Sequence, residues 1–316
     1  MVKVAIAGGS GHIASEIVDV LVATQRHEIL ILSRKDPSAA EAVSGVSWAK
    51  ADYGDKEQLT GVLSGVHTVL SFVGGTQDPG SVIQKNLIDA SIAAGVKRFA
   101  PSEWSSSSIE ELPWYAEKAV VRTYLEEINK EKKMIEYTLF QPGLIVDYLA
   151  PPGTTKHLQT LEILIDFPNR RAIDIDGKDG FFTLTTMNDV ANVVALAIEY
   201  EGEWPVIGGI NGINTSTSKV LEIGAKIQGG KPFDITLVKE EDVRADVFQT
   251  PWCPMFKSPD FSEEQLKHFS KVILRGCLLS FLCGSWVVSD AWNRLLPDYK
   301  FTNPEEFLLK AWEGKA

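Results

Sequence analysis

The chain has 316 residues, 44% apolar and 23% charged, the balance of a soluble globular protein with one large or two closely joined domains. Its formal charge of −11 argues against a nucleic-acid partner, whose phosphates call for a basic face. Three cysteines without metal-like spacing read as reduced thiols, and five scattered histidines form no zinc motif, so no metal is expected.

Residues 2–14 read VKVAIAGGSGHIA: a short apolar strand, a glycine-rich turn and the start of a helix. This arrangement seats a dinucleotide pyrophosphate. Gly8 permits a sharp turn, Gly11 lets the backbone approach the phosphates, and Ala14 keeps the helix close to the sheet. Ser10, His12 and Ile13 complete the cradle, with the helix's first N–H groups turned to the anion. A chain opening on such a strand is expected to carry no signal peptide and to work in the cytoplasm.

Further strands are expected at 28–32, 47–51, 68–72, 98–101 and 136–141, and helices at 13–23, 39–43, 56–63, 82–93 and 115–129. Alternation of this kind implies crossovers, hence a doubly wound parallel sheet with its ligand crevice at the carboxyl ends of the strands. The second strand closes Ile31-Leu32-Ser33-Arg34-Lys35, with no acid before Asp36. A carboxylate there would hold ribose hydroxyls. Arg34, with Lys35 and Ser33 beside it, would instead grip a 2′-phosphate and select NADP(H) over NAD(H). The alternative is two solvated charges on a surface loop. Asp52, after the third strand, either contacts adenine or caps the next helix. Val73 and Gly74 close the fourth strand under the middle of the cofactor. Gln84, on the helix that follows, faces either the site or solvent.

The fifth strand ends Arg98-Phe99-Ala100-Pro101-Ser102-Glu103-Trp104, placing Ser102 where a catalytic alcohol would sit. Lys118 follows within Trp114-Tyr115-Ala116-Glu117-Lys118. Short-chain dehydrogenases space their tyrosine and lysine as Tyr-x-x-x-Lys. Tyr115 stands one position too close for that register, and Lys118 otherwise reads as a surface lysine on an amphipathic helix.

The rhythm changes after Pro142-Gly143. Pro151-Pro152-Gly153 opens a less regular region in which Asp176-Gly177 and Asp179-Gly180 punctuate two short strands, and Asn188 reads as the N-cap of a helix to about 199. Helices at 263–279 and 304–312 finish the chain. The apolar run 277–288 is too short to span a bilayer, so no membrane is expected. Residues 1–146 are thus expected to form a Rossmann-type cofactor domain. Residues 147–316 would form a smaller α+β substrate lobe, with segments returning to the first sheet. Its large apolar groups are Tyr148, Leu149, Phe167, Phe181, Phe182, Phe248, Trp252, Met255 and Phe256. Those at 248–256, in a loop broken by Pro251 and Pro254, are the candidates for an apolar pocket.

The glycine turn, the basic close of strand two, the Pro101-Ser102-Glu103-Trp104 segment and the isolated Lys118 together resemble NmrA-like and isoflavone-reductase-like proteins, atypical short-chain dehydrogenases/reductases. The likeness continues through Gln141-Pro142-Gly143, Asn188-Asp189-Val190, Trp204-Pro205-Val206-Ile207-Gly208-Gly209 and Asp298-Tyr299-Lys300-Phe301. It spans essentially the whole chain, and fungal members are nearest. It implies NADP(H) bound with Pro142 among its contacts, and Lys118 beside the nicotinamide as proton donor or ribose anchor. Ser102 and Tyr115 are further catalytic candidates, with Tyr137 and Tyr148 as alternative acids. The activity implied is NADPH-dependent reduction of an aromatic or polyketide-like small molecule in secondary metabolism, by a monomer or homodimer. Two alternatives stay open: a redox-neutral isomerase or cyclase using the cofactor as scaffold, and a redox sensor that binds a protein partner.

Overall fold

The computed structural model describes residues 1–35, 44–75, 78–159, 161, 163–255 and 262–315. Strands β1 (Val2–Ala7), β2 (His27–Ser33), β3 (Val46–Lys50), β4 (Thr68–Ser71), β5 (Arg98–Ala100) and β6 (Glu136–Tyr137) form one sheet in the order β3-β2-β1-β4-β5-β6. Every pairing in it is parallel, so all six strands end on the same edge. The central strands are apolar on both faces, as a sheet covered on both sides requires: Val4, Ala5, Ile6 and Ala7 are fully buried.

Between the strands run α1 (His12–Thr24), α2 (Lys56–Val62), α3 (Val82–Ala93) and α4 (Ala116–Asn129). Ile17 and Leu21, four apart on α1, dock on Val4, Ile6, Ile29 and Ile31. The opposite face, with Ala5, Leu30, Leu32 and Val69, is covered by Leu59, Leu87, Val121 and Leu125 from α2, α3 and α4. The 39–43 helix expectation lies outside the described residues.

The second half adds β7 (Leu139–Gln141), β8 (Leu144–Ile145), β9 (Ile165–Asp166), β10 (Arg171–Ile175), β11 (Phe181–Thr185), β12 (Ile207–Gly209), β13 (Ile213–Ser216) and β14 (Asp234–Val238). Its helices are α5 (Met187–Glu199), α6 (Thr217–Ile227), α7 (Glu240–Arg244), α8 (Glu263–Leu282), α9 (Ala291–Leu295) and α10 (Pro304–Trp312). The expected strand at 136–141 is two strands. β6 stays in the large sheet, while β7 pairs in parallel with β12, because the Leu139 N–H donates to Val206 O and the Thr138 hydroxyl to Pro205 O. Helix α5 packs on α1 and completes the first sheet's cover with Val190, Val194 and Ile198. Its N-cap is Thr186, which accepts the Asp189 N–H at 3.1 Å; Asn188 is exposed and already inside the helix.

The orders β13-β11-β8 and β14-β10-β9 describe two small sheets, packed with α8 around Phe167, Phe182, Leu274 and Leu278. Gly143 joins this core to the first sheet. Its φ is +72°, and a Cβ there would lie 2.7 Å from Thr183 O, so only glycine lets the two backbones meet. No helix among the described residues is long and apolar enough to cross a membrane.

Candidate active site

Because β1–β6 are parallel, their terminal loops collect on one edge, and nearly every expected site residue stands there. Gly8 has φ +76°, and a Cβ would fall 3.0 Å from both the carbonyl carbon and the oxygen of Phe72, so the loops after β1 and β4 abut at this point. Gly11 is the N-cap of α1 and supplies no side-chain cap, which leaves the N–H groups of the first turn for an outside acceptor. Ser10, Gly11 and His12 are exposed, and Ile13 is half-buried. Across the cradle, Val73 is buried and Gly74 exposed; a Cβ on Gly74 would meet no atom within 4 Å. The open space lies directly opposite the uncapped helix.

Arg34 and Lys35 are exposed just beyond β2, with the Ser33 hydroxyl accepting the Lys35 N–H at 3.0 Å. Burial pushes the Tyr53 phenol up to about 12, against a smaller opposing pull from Arg34. Asp52 is exposed and shapes its own turn, its Oδ1 accepting the Gly54 N–H at 2.9 Å, while Asp55 caps α2. Gln84 faces inward: buried, it accepts the Ser102 N–H at 2.9 Å and the Ser71 hydroxyl at 3.4 Å. Pro142 is buried and its carbonyl accepts the Thr185 hydroxyl at 2.7 Å, so Gly143, the next residue, lines the open space.

Pro113–Tyr115 is a 3₁₀ turn that leads into α4. Tyr115 is the N-cap of α4, and residues three apart are neighbours on a helix surface, so this spacing still brings Tyr115 under Lys118. The ammonium sits 4.6 Å from the phenol ring centroid. It donates to Ser102 O at 2.8 Å and to Glu103 O. Burial pulls Lys118 down to about 8, opposed by the Glu103 charge and assisted by Arg122. Burial raises the phenols of Tyr115 and Tyr148, so both stay neutral proton carriers. Tyr137 lies in the core beneath α4, outside the cavity.

Behind the lysine, Glu103 is 2% exposed and clamped by Arg122 at 3.0 Å (Nε) and 2.6 Å (Nη2). Trp104 holds a left-handed backbone, φ +46°, which costs about 1–2 kcal/mol for a residue with a Cβ. Its ring stacks on Phe72 at 4.4 Å and Phe140 at 5.2 Å, and its Nε1–H donates to Ser71 O.

These groups open on a cavity of about 510 Å³. Ser102, Tyr115 and Lys118 line it together with Trp114, Tyr148, Met255 and Trp286. Its far wall is a stripe on α8 of Phe269, Ile273, Cys277 and Phe281, spaced four apart. Burial pushes the Cys277 thiol up to about 12, so it presents a neutral wall. Of the apolar groups singled out in the sequence, Tyr148 and Met255 reach the cavity. Leu149, Phe167, Phe182 and Phe248 belong to the core, Phe181 is exposed, and Trp252 packs under the Arg171 guanidinium at 4.3 Å. Phe256 lies outside the described residues. In the sequence the α8 stripe shows only a four-residue spacing, indistinguishable from that of a core helix, and nothing local marks Trp286 as a cavity residue. A segment of the second half also ties back to α1: Glu16 accepts the His157 and Leu158 N–H groups, and Asp19 pairs with Lys156 at 2.7 Å.

The sequence matches the NmrA-like family over residues 2–308. It is 33% identical over 238 residues to "Oxidoreductase BOA1" of Botryotinia fuckeliana, covering 73% of this chain and 77% of that protein. Among solved structures it resembles the NADPH-dependent quinone oxidoreductase of Escherichia coli complexed with NADPH (TM-score 0.66, 21% identity, 96% of this chain and 98% of that one). It also resembles the Citrobacter triphenylmethane reductase complexed with NADP(H) (TM-score 0.66, 19% identity, 98% and 99% covered). The fold and the whole-length match agree: the chain belongs to the NmrA-like family.

Proposed function

We propose that this chain is an NADPH-dependent oxidoreductase that reduces an aromatic or polyketide-like small molecule in cytoplasmic secondary metabolism. Residues 1–146 would seat the cofactor and residues 147–316 would close over the substrate. The observation that carries this reading is a junction: the glycine cradle and an aromatic cavity meet at Lys118. The uncapped start of α1 and the open face at Gly74 fit a pyrophosphate and the chain beyond it. Arg34 and Lys35 fit a 2′-phosphate. The related oxidoreductase and the NADP(H)-bound reductases of the same fold support the same cofactor.

When bound, the reduced nicotinamide supplies the hydride. The chain supplies the proton and the dry walls. Lys118 Nζ has three hydrogens, two of them committed to the carbonyls of Ser102 and Glu103. The third is available to a substrate oxygen or a cofactor ribose, and a group held near 8 exchanges its proton readily around neutrality. Tyr115 shields that ammonium from one side, and Ser102 offers a hydroxyl beside it. A cavity at the lysine with a largely aromatic and aliphatic lining supports catalysis over a pure sensing role, which needs no room for a second small molecule.

NADPH consumption across a panel of quinones and triphenylmethane dyes tests this reading. We expect turnover with at least one of them and a loss of roughly 100-fold or more in Lys118→Ala. An alanine variant with wild-type turnover would remove Lys118 from the chemistry.

A further inference from the structure

We propose that the Glu103–Arg122 pair is a positioning device whose two charges set, in opposite directions, the proton affinity of Lys118. This deepens the role given above to Lys118 and rests on that reading for its catalytic meaning. Glu103 does two things at once. Its main-chain carbonyl receives an ammonium hydrogen from Lys118, and its carboxylate, almost wholly buried, is gripped by both Nε and Nη2 of Arg122. Arg122 is fixed in turn by Nη1, which donates to Ser107 O at 3.1 Å. Arg122 stands one helical turn beyond Lys118 on α4, so both side chains reach the same residue, Lys118 at its main-chain carbonyl and Arg122 at its carboxylate.

A buried ion pair of this geometry is weak evidence for stability, since desolvation offsets most of its attraction. Its use is better sought in what it does to the third charge. The carboxylate favours the ammonium form of Lys118 and the guanidinium disfavours it. Paired, they act in opposite directions, with Glu103 the stronger of the two. Tyr115 on the 3₁₀ turn lies under the ammonium, and Tyr148 after β8 and Cys277 on α8 line the same cavity, all three held neutral by burial. Glu117 on α4 also lines the cavity, with its Oε2 accepting the Ser81 hydroxyl at 2.9 Å. Glu103 and Arg122 are the two charges that act on the lysine directly.

Trace acylation of Lys118 with acetic anhydride, followed by mass spectrometry across pH, reads its protonation in the intact folded protein without any substrate. Glu103→Gln should move the midpoint down by about one pH unit, because it removes the favourable charge and leaves Arg122 unpaired. Arg122→Gln should move it up by a smaller amount, and the double variant should fall between the two single variants. Arg122→Met removes the charge with a side chain that still fills the space and should move the midpoint up as Arg122→Gln does, which covers the case in which a glutamine variant does not fold. Arg122→Lys keeps the charge and should leave the midpoint within a few tenths of wild type. Shifts in the same direction, no shift in either single variant, or a lysine variant displaced as far as Arg122→Gln would overturn the proposal. Because the labelling is independent of turnover, a Lys118 that proved dispensable for activity would sink the functional reading while leaving this result intact.

Discussion

The protonation of Lys118 gives the most direct handle on the chemistry. Burial holds the ammonium at about 8, far below an ordinary lysine. The sign is fixed by that displacement. A proton donor is loaded below its midpoint and empty above it, so turnover should be level near pH 7 and fall about tenfold per pH unit above 8. Between pH 7 and pH 9 the ammonium fraction drops from roughly nine-tenths to roughly one-tenth. Lys118→Ala removes the group altogether and should cost roughly 100-fold at pH 7, or about 2.7 kcal/mol of transition-state stabilisation, with a flat profile. Lys118→Arg should not restore the rate, because a guanidinium does not release its proton in this range. Initial rates of NADPH consumption at saturating cofactor, taken from about pH 6 to pH 10, provide the assay. A wild-type rate that stays level through pH 9, or an arginine variant with wild-type turnover, would refute the proton-donor role. An alanine variant that loses cofactor affinity while keeping its rate at saturation would assign Lys118 to anchoring.

Arg34→Ala should weaken NADPH binding by about 1.5–3 kcal/mol, the scale of a charge-assisted hydrogen bond, and leave NADH nearly unchanged; equal losses in a titration of both would mean that Arg34 reads no phosphate. Gly143→Ala combines a left-handed backbone with a Cβ pressed against Thr183 O, so denaturant unfolding should show a loss of about 2–4 kcal/mol. A wild-type midpoint would show that the two backbones can part there without cost.

The legible parts of this molecule are those decided locally. The strand–turn–helix at residues 2–24 follows from an apolar run, glycines and the four-residue spacing of Ile17 and Leu21, all within one stretch of chain. The edge on which the proposed cofactor residues gather follows for the same reason, since parallel strands carry their terminal loops to one side wherever the strands themselves are found. Tyr115 and Lys118 show the opposite case. Their spacing reads as a broken Tyr-x-x-x-Lys motif, and it becomes a contact because Tyr115 caps α4 three residues before Lys118. The split of 136–141 into β6 and β7 depends on β12, far along the chain, which no local pattern announces. The α8 wall has the periodicity of any core helix, and its exposure to a cavity is a tertiary fact. Glu103 and Arg122 each sit beside a motif that drew attention, yet their pairing becomes visible only when β5 and α4 are brought together.

Titration calorimetry with NADPH and NADH is the most direct test that the glycine cradle is a cofactor seat feeding the cavity. We expect a single NADPH per chain, NADH weaker by about tenfold or more, and a raised unfolding temperature at saturating NADPH. No heat and no thermal upshift with either cofactor would contradict the seat, and with it the reductase.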